Sequence, residues 1–203
     1  MIKKLADKIA LFYTRQKIIP IDELDVYSYG FELILSAVFN LSLVIAVAII
    51  FNIPLQAFLF VFSFIIIRSF GGGYHAKTHM VCVWAFFIVF VSLSFVLNLL
   101  PMHTAPIVIF ASSLTSLLFI WIAAPVEAKN KKLSDSKQKR LKRICRLIAI
   151  IYFVFAAYVF FIPTSFEHIV IFAFSGLLAG STSIMFAALM NKRANLRAFN
   201  ISK

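Results

Sequence analysis

Six apolar runs, near residues 31–51, 54–67, 80–100, 107–123, 144–162 and 166–190, divide the sequence, the first with a helix that can begin as early as about Asp22. A stretch of roughly 18–20 apolar residues crosses a bilayer as a helix. The second and fourth runs are short for this, and require tilt, local thinning or helical extension beyond the apolar core. Short-period alternation of apolar and polar residues is absent, which argues against a β-barrel. The composition agrees, with 62% hydrophobic residues and a mean hydropathy of +0.96, where soluble domains hold about 45–50% apolar residues. The expected fold class is all-α, a polytopic membrane protein with six transmembrane helices in one integral membrane domain over residues 1–203.

The charges orient these spans. The chain carries 20 Lys and Arg against 8 Asp and Glu, a formal net charge of +12. The connections "NIP", "PMHTAP" and "PTSFEH", after the first, third and fifth runs, hold no Lys or Arg. The basic residues fall in the N-terminal segment, between Arg68 and Lys77, in or beside the loop over 125–143, and in the C-terminal tail. Six spans put all of these on one side, whereas five or seven scatter them over both. The positive-inside bias then places both termini and both long connections in the cytoplasm. The charge serves topology and attraction to anionic lipid. With no soluble domain to carry it, nucleic acid is not an expected partner.

The first twenty residues lack the continuous apolar core and small-residue cleavage site of a signal peptide. Ile2, Leu5, Ile9 and Phe12 mix with Lys3, Lys4, Lys8 and Arg15 at helical spacing. That is the pattern of a basic amphipathic helix on a membrane surface.

Between the second and third runs lies "RSFGGGYHAKTHMVC", residues 68–82. Gly71, Gly72 and Gly73 interrupt the helix, and irregular backbone at this depth survives only where protein or water satisfies it. A Gly-rich cytoplasmic loop is expected here. Cys82 falls in the first turn of the third span, where unpaired amides and the helix dipole favour a thiolate. A histidine base can take its proton, and nearby cations stabilise the anion. On a continuous helix His79 is the neighbour of Cys82. His75, two turns away at about 10.5 Å, reaches it only if the glycine loop folds back. Cys145 lacks such a cluster and reads as a packing residue. A disulfide between the two is not expected on the reducing side of the membrane.

"HAKTH" also sets His75 and His79 four apart, a metal-ligand spacing that Cys82 can complete. The H-E-x-x-H metalloprotease pattern, however, needs a Glu where Ala76 stands. No metal or other cofactor is expected. Glu32, at the entry to the first span, is a functional-site candidate as an acid bordering a membrane. It can orient a histidine, pair with Arg68, bind a substrate cation, or serve only as a first-turn acid complementing the helix dipole. His103 and His168 read as interfacial residues. Ser181, Thr182 and Ser183, after Gly176 and Gly180, read as interhelical contacts.

The combination of Arg68, Gly72-Gly73, His75-Ala76 and Cys82, with "YGFELIL" before the first span and "APVEAKNKKLS" after the fourth, resembles the accessory gene regulator protein B (AgrB) family. These are membrane-embedded cysteine endopeptidases of Gram-positive quorum sensing. The resemblance covers nearly the whole chain. It implies Cys82 as nucleophile and His75 as base, over His79, with Arg68 and Gly73 at positions associated with activity. Gly72 and Glu32 are counted with them as supporting residues. It implies an AgrD-like propeptide as substrate, cut at its acidic C-terminal tail through an acyl-thioester that the peptide's own cysteine resolves into a ring. The implied location is the bacterial cell membrane, with the site at the cytoplasmic face. Lys129, Lys131, Lys132, Lys137, Lys139 and Arg140 offer a docking surface for the acidic tail. The resemblance and the Gly/Ser-rich sixth span are compatible with a homodimer. Three other functions fit parts of the pattern: a small membrane transporter of peptide or solute, a metal-dependent membrane protease built on His75, His79 and Cys82, and a structural partner that only presents the propeptide to another protease.

Overall fold

The structure is a computed structural model that describes residues 2–72, 79–126, 134–162 and 165–201, with side chains described for all but 79–80, 102 and 194–201. The described residues form seven α-helices and two short 3-10 helices, with no strand. The α-helices are α1 (Ile2–Arg15), α2 (Leu24–Ile50), α3 (Pro54–Gly71), α4 (His79–Leu99), α5 (Ala105–Ala123), α6 (Asp135–Phe161) and α7 (Glu167–Ile201). All except α1 are long and apolar enough to cross a membrane. Ile50, Ile122 and Phe161 are 76, 71 and 77% exposed. A surface this apolar is matched by lipid, and helices are the open-ended structures that satisfy their own backbone there.

Local chemistry sets the helix ends. The chain leaves α1 through Lys17 in the left-handed region (φ 58°). The Lys17 amide donates to the Thr14 carbonyl and the Ile18 amide to that of Tyr13, the double bond of a Schellman turn. Pro20 then leads into the 3-10 helix Ile21–Glu23 and on to α2. Asn52 (φ 55°) closes α2, and Pro54 opens α3 at its first position, where the missing amide costs nothing. This explains how "NIP" turns the chain in three residues.

The helices outrun the apolar runs. The second and fourth spans reach 18 and 19 residues as α3 and α5, about 27–29 Å at 1.5 Å per residue, close to the roughly 30 Å hydrocarbon thickness. Helix α6 starts at Asp135, well inside the basic stretch. Lys, Arg, Gln and Leu are good helix formers, so charge there changes the solvent of the helix without ending it.

The chain divides into two compact units, Met1–Asn52 with His75–Val91, and Ile53–Tyr74 with Ser92–Lys203. In the first, α1 buries the small side chains of Ala6 and Ala10. The Ser28 hydroxyl on α2 donates to the Asp7 carboxylate, and Tyr13 stacks on Phe31 with centroids 5.7 Å apart. Leu5 and Phe12 remain exposed, as do Lys4, Lys8 and Arg15. The helix is therefore amphipathic in three dimensions as well as in sequence.

In the second unit α7 is central, with half of its span buried against 22–33% for α3, α5 and α6. Lipid tails are as apolar as Leu, so helices associate here by close packing. Gly176 and Gly180 provide it: a Cβ at Gly176 would strike the backbone oxygen of Phe60, and one at Gly180 the Cγ2 of Ile67. The α3 face therefore seats on glycines spaced one turn apart. Several buried hydroxyls are satisfied locally, Ser116 donating to the Ser112 carbonyl at 2.7 Å and Ser175 to that of Ile171 at 2.8 Å. Ser63 on α3 bonds the Tyr152 hydroxyl on α6 at 2.7 Å.

Candidate active site

Cys82 is the fourth residue of α4, a partly exposed free thiol. The first four amides of a helix have no partner within it, and their dipoles favour an anion. Cys145, also free, is fully buried among Ile67, Ile120, Ala149, Leu177 and Ile184. The chain thus has one thiol that reagents can reach and one that packs the core.

Glu32 belongs to the same unit as Cys82 and is partly exposed on α2. It lies one turn beyond Ser28, the residue bonded to Asp7 of α1. The reading of Glu32 as a first-turn acid is corrected: α2 begins at Leu24, and its first-turn acid is Asp25. Pro20 and the 3-10 turn start the helix ahead of the apolar run, which leaves Glu32 two turns inside it.

Arg68 and Gly72 end α3 in the other unit. The Gly72 amide donates to the Arg68 carbonyl at 3.1 Å. The Arg68 guanidinium donates through Nη1 to the Ser183 hydroxyl on α7 and lies 5.7 Å from the Phe64 ring centroid. Gly72 has a φ of +72°, and a Cβ there would stand 2.6 Å from the Val126 carbonyl oxygen. Only glycine meets both conditions. The Val126 amide in turn donates to the Gly71 carbonyl at 3.0 Å. This seats Val126, after α5, against the end of α3. The sequence pointed to Arg68, Gly72 and an interhelical Ser183; the pairing of Gly71 with Val126 carried no local signal.

His75 and Gly73 lie outside the described residues, as do Lys129, Lys131 and Lys132. The His75–Cys82 pairing, and the metal triad that includes His75, therefore fall partly on them. His79 opens α4. Lys137, Lys139 and Arg140 are exposed on the first turns of α6. At the opposite end of the same unit, Gln56, Asn98, Pro101 and His168 help to line a cavity of about 160 Å³. This is below the 300 Å³ or so at which ligand pockets begin.

Fold and site together define a multi-pass membrane protein with an accessible thiol at the head of a spanning helix. The chain matches the family "Accessory gene regulator B" over residues 2–190 and belongs to it. It is similar to "Putative AgrB-like protein 2" of Clostridium perfringens strain 13 and to "Putative AgrB-like protein" of strain SM101, each 26% identical over 134 residues. Each match covers 63% of this chain and 63% of the relative, so the chain spans under two thirds of those relatives' length. No solved structure matches.

Proposed function

We propose that the chain is a membrane-embedded cysteine endopeptidase that removes the tail of an AgrD-like propeptide and promotes its cyclisation in quorum sensing. The observation that carries this reading is the contrast between the two cysteines, Cys82 accessible at the start of α4 and Cys145 sealed in the core. Family membership supports a role in the accessory gene regulator system.

In this reading Cys82 loses its proton to His75 and its sulfur attacks the peptide carbonyl at the tail junction. The C–S bond forms, the C–N bond breaks, and the histidine returns the proton to the departing amine. The acyl-enzyme is a thioester. A cysteine within the bound peptide then attacks that carbonyl, the ring closes, and the Cys82 thiol is restored. One thioester replaces another of similar energy, so ring closure needs no nucleotide. Arg68, Gly72 and Gly73 support the site, and amides at the head of α4 are suited to the oxyanion. Basic residues at one end of the second unit, Arg68, Lys137 to Arg146, Lys192 and Arg193, favour a cytoplasmic face there. The exposed Lys137, Lys139 and Arg140 of α6, with Lys129, Lys131 and Lys132, offer the acidic tail its counter-charges. The test is tail release from a cognate propeptide: Cys82→Ala abolishes it and Cys145→Ala keeps it. Equal activity of Cys82→Ala and wild type overturns the reading.

A further inference from the structure

Helix α6 changes character along a single face. Lys139, Lys142, Arg143 and Arg146 recur at helical spacing on one stripe, within about 10.5 Å of axial rise. The same stripe continues as Leu147, Ile150 and Val154, which are 61, 44 and 62% exposed. At the change-over, the Arg146 guanidinium lies over the Trp121 ring of α5, 4.2 Å from its centroid. Its Nε is buried and has no hydrogen-bond partner. Trp121 and the next residue, Ile122, are themselves exposed at 47 and 71%.

A guanidinium at the border of a membrane span is costly unless something anionic meets it. Phosphate oxygens match its planar donors in pairs. The occupant of this face needs anionic oxygens at the level of Arg143 and Arg146, and apolar substance directly below, against Leu147, Ile150 and Val154. An acidic peptide segment supplies the first and not the second. A phospholipid supplies both in the observed order. We infer that the outer face of α5 and α6 is a binding site for an anionic phospholipid. Its headgroup phosphate engages Arg146 and Arg143, and an acyl chain runs along the exposed aliphatic stripe. Trp121 presses the guanidinium from the side and marks the interfacial level, as aromatic residues do at bilayer boundaries. This rests on the spanning helices and their side chains, and is independent of the peptidase reading.

Native mass spectrometry of the full chain, released from detergent with dioleoylphosphatidylglycerol or dioleoylphosphatidylcholine added in equal amounts, tests it. Phosphatidylglycerol adducts are expected to exceed phosphatidylcholine adducts. Arg146→Gln should lower the first by about fivefold, the ratio for one cation at an anionic surface. Arg146→Lys should fall between, because it keeps the charge and loses the planar fork. Lys192→Gln, on α7, should bind as wild type. Arg143→Gln gives a second reading should Arg146→Gln fail to fold. Equal binding of the two lipids, or Arg146→Gln and Arg143→Gln both retaining phosphatidylglycerol, overturns the proposal. So does Arg146-dependent binding of a synthetic acidic peptide without any preference for the anionic lipid, which would assign the stripe to a peptide.

Discussion

The Val126 amide and the Gly71 carbonyl, 3.0 Å apart, fasten the segment after α5 to the last turn of α3. The adjoining Gly72 faces the Val126 oxygen with a φ of +72°. A side chain at 72 meets both a strained backbone and a carbonyl that cannot swing away. One at 71 meets chiefly the flexible end of Ile184. Gly72→Ala is expected to cost about 1–3 kcal/mol and to lower the thermal unfolding midpoint in detergent more than Gly71→Ala. The reverse order would show that this junction does not hold the two segments together.

Alkylation separates the two thiols. With a membrane-permeant maleimide on folded protein, one adduct is expected, on Cys82, and a second only after denaturation. Intact mass and peptide mapping read this directly. Labelling of folded Cys145 would contradict its complete burial.

Close packing of α3 on α7 predicts a graded cost at the two glycines. Gly176→Ala places a methyl against a backbone oxygen and Gly180→Ala against a side-chain methyl. Overpacking costs roughly 1–3 kcal/mol, with the larger share expected at 176. The measurement is the unfolding midpoint in one detergent at one protein concentration.

Much of this fold was legible in the residues themselves. Pro54 announced a helix start, and Gly176 and Gly180 a close helix contact. The start of α6 at Asp135 was not legible, because Lys and Arg end an apolar run without ending a helix. The early start of α2 was legible, a helix from about Asp22 being expected ahead of the first apolar run, where a polar 3-10 turn leads into α2 at Leu24. The seats of Arg68 on Ser183 and of Arg146 on Trp121 join residues far apart in the chain. No local spacing encodes such pairs. Around the candidate site, the place of Cys82 at a helix head and the end of α3 at the glycine run were readable. The base His75 rests on the family resemblance.

The link between Arg68 and Ser183 carries its own expectation. Ser183→Ala removes one hydrogen bond to a charged group, worth about 1.5–3 kcal/mol, and takes away one of the contacts that orient the guanidinium. If Arg68 supports the site, tail release should slow by roughly tenfold or more with little change in expression. Arg68→Lys should lose at least as much, since an ammonium cannot reproduce the fork. Unchanged rates in both would confine Arg68 to topology.

The most direct measurement is intact mass spectrometry of the protein during incubation with its proposed substrate. Wild type and Cys82→Ala are incubated in liposomes with a cognate AgrD-like propeptide whose ring cysteine is replaced by alanine, so that the acyl-enzyme cannot be resolved. The expected result is a wild-type adduct equal in mass to the peptide without its tail, released by hydroxylamine and absent from Cys82→Ala. Tail release with no adduct, or an adduct that survives in Cys82→Ala, would contradict the assignment of Cys82 as the nucleophile.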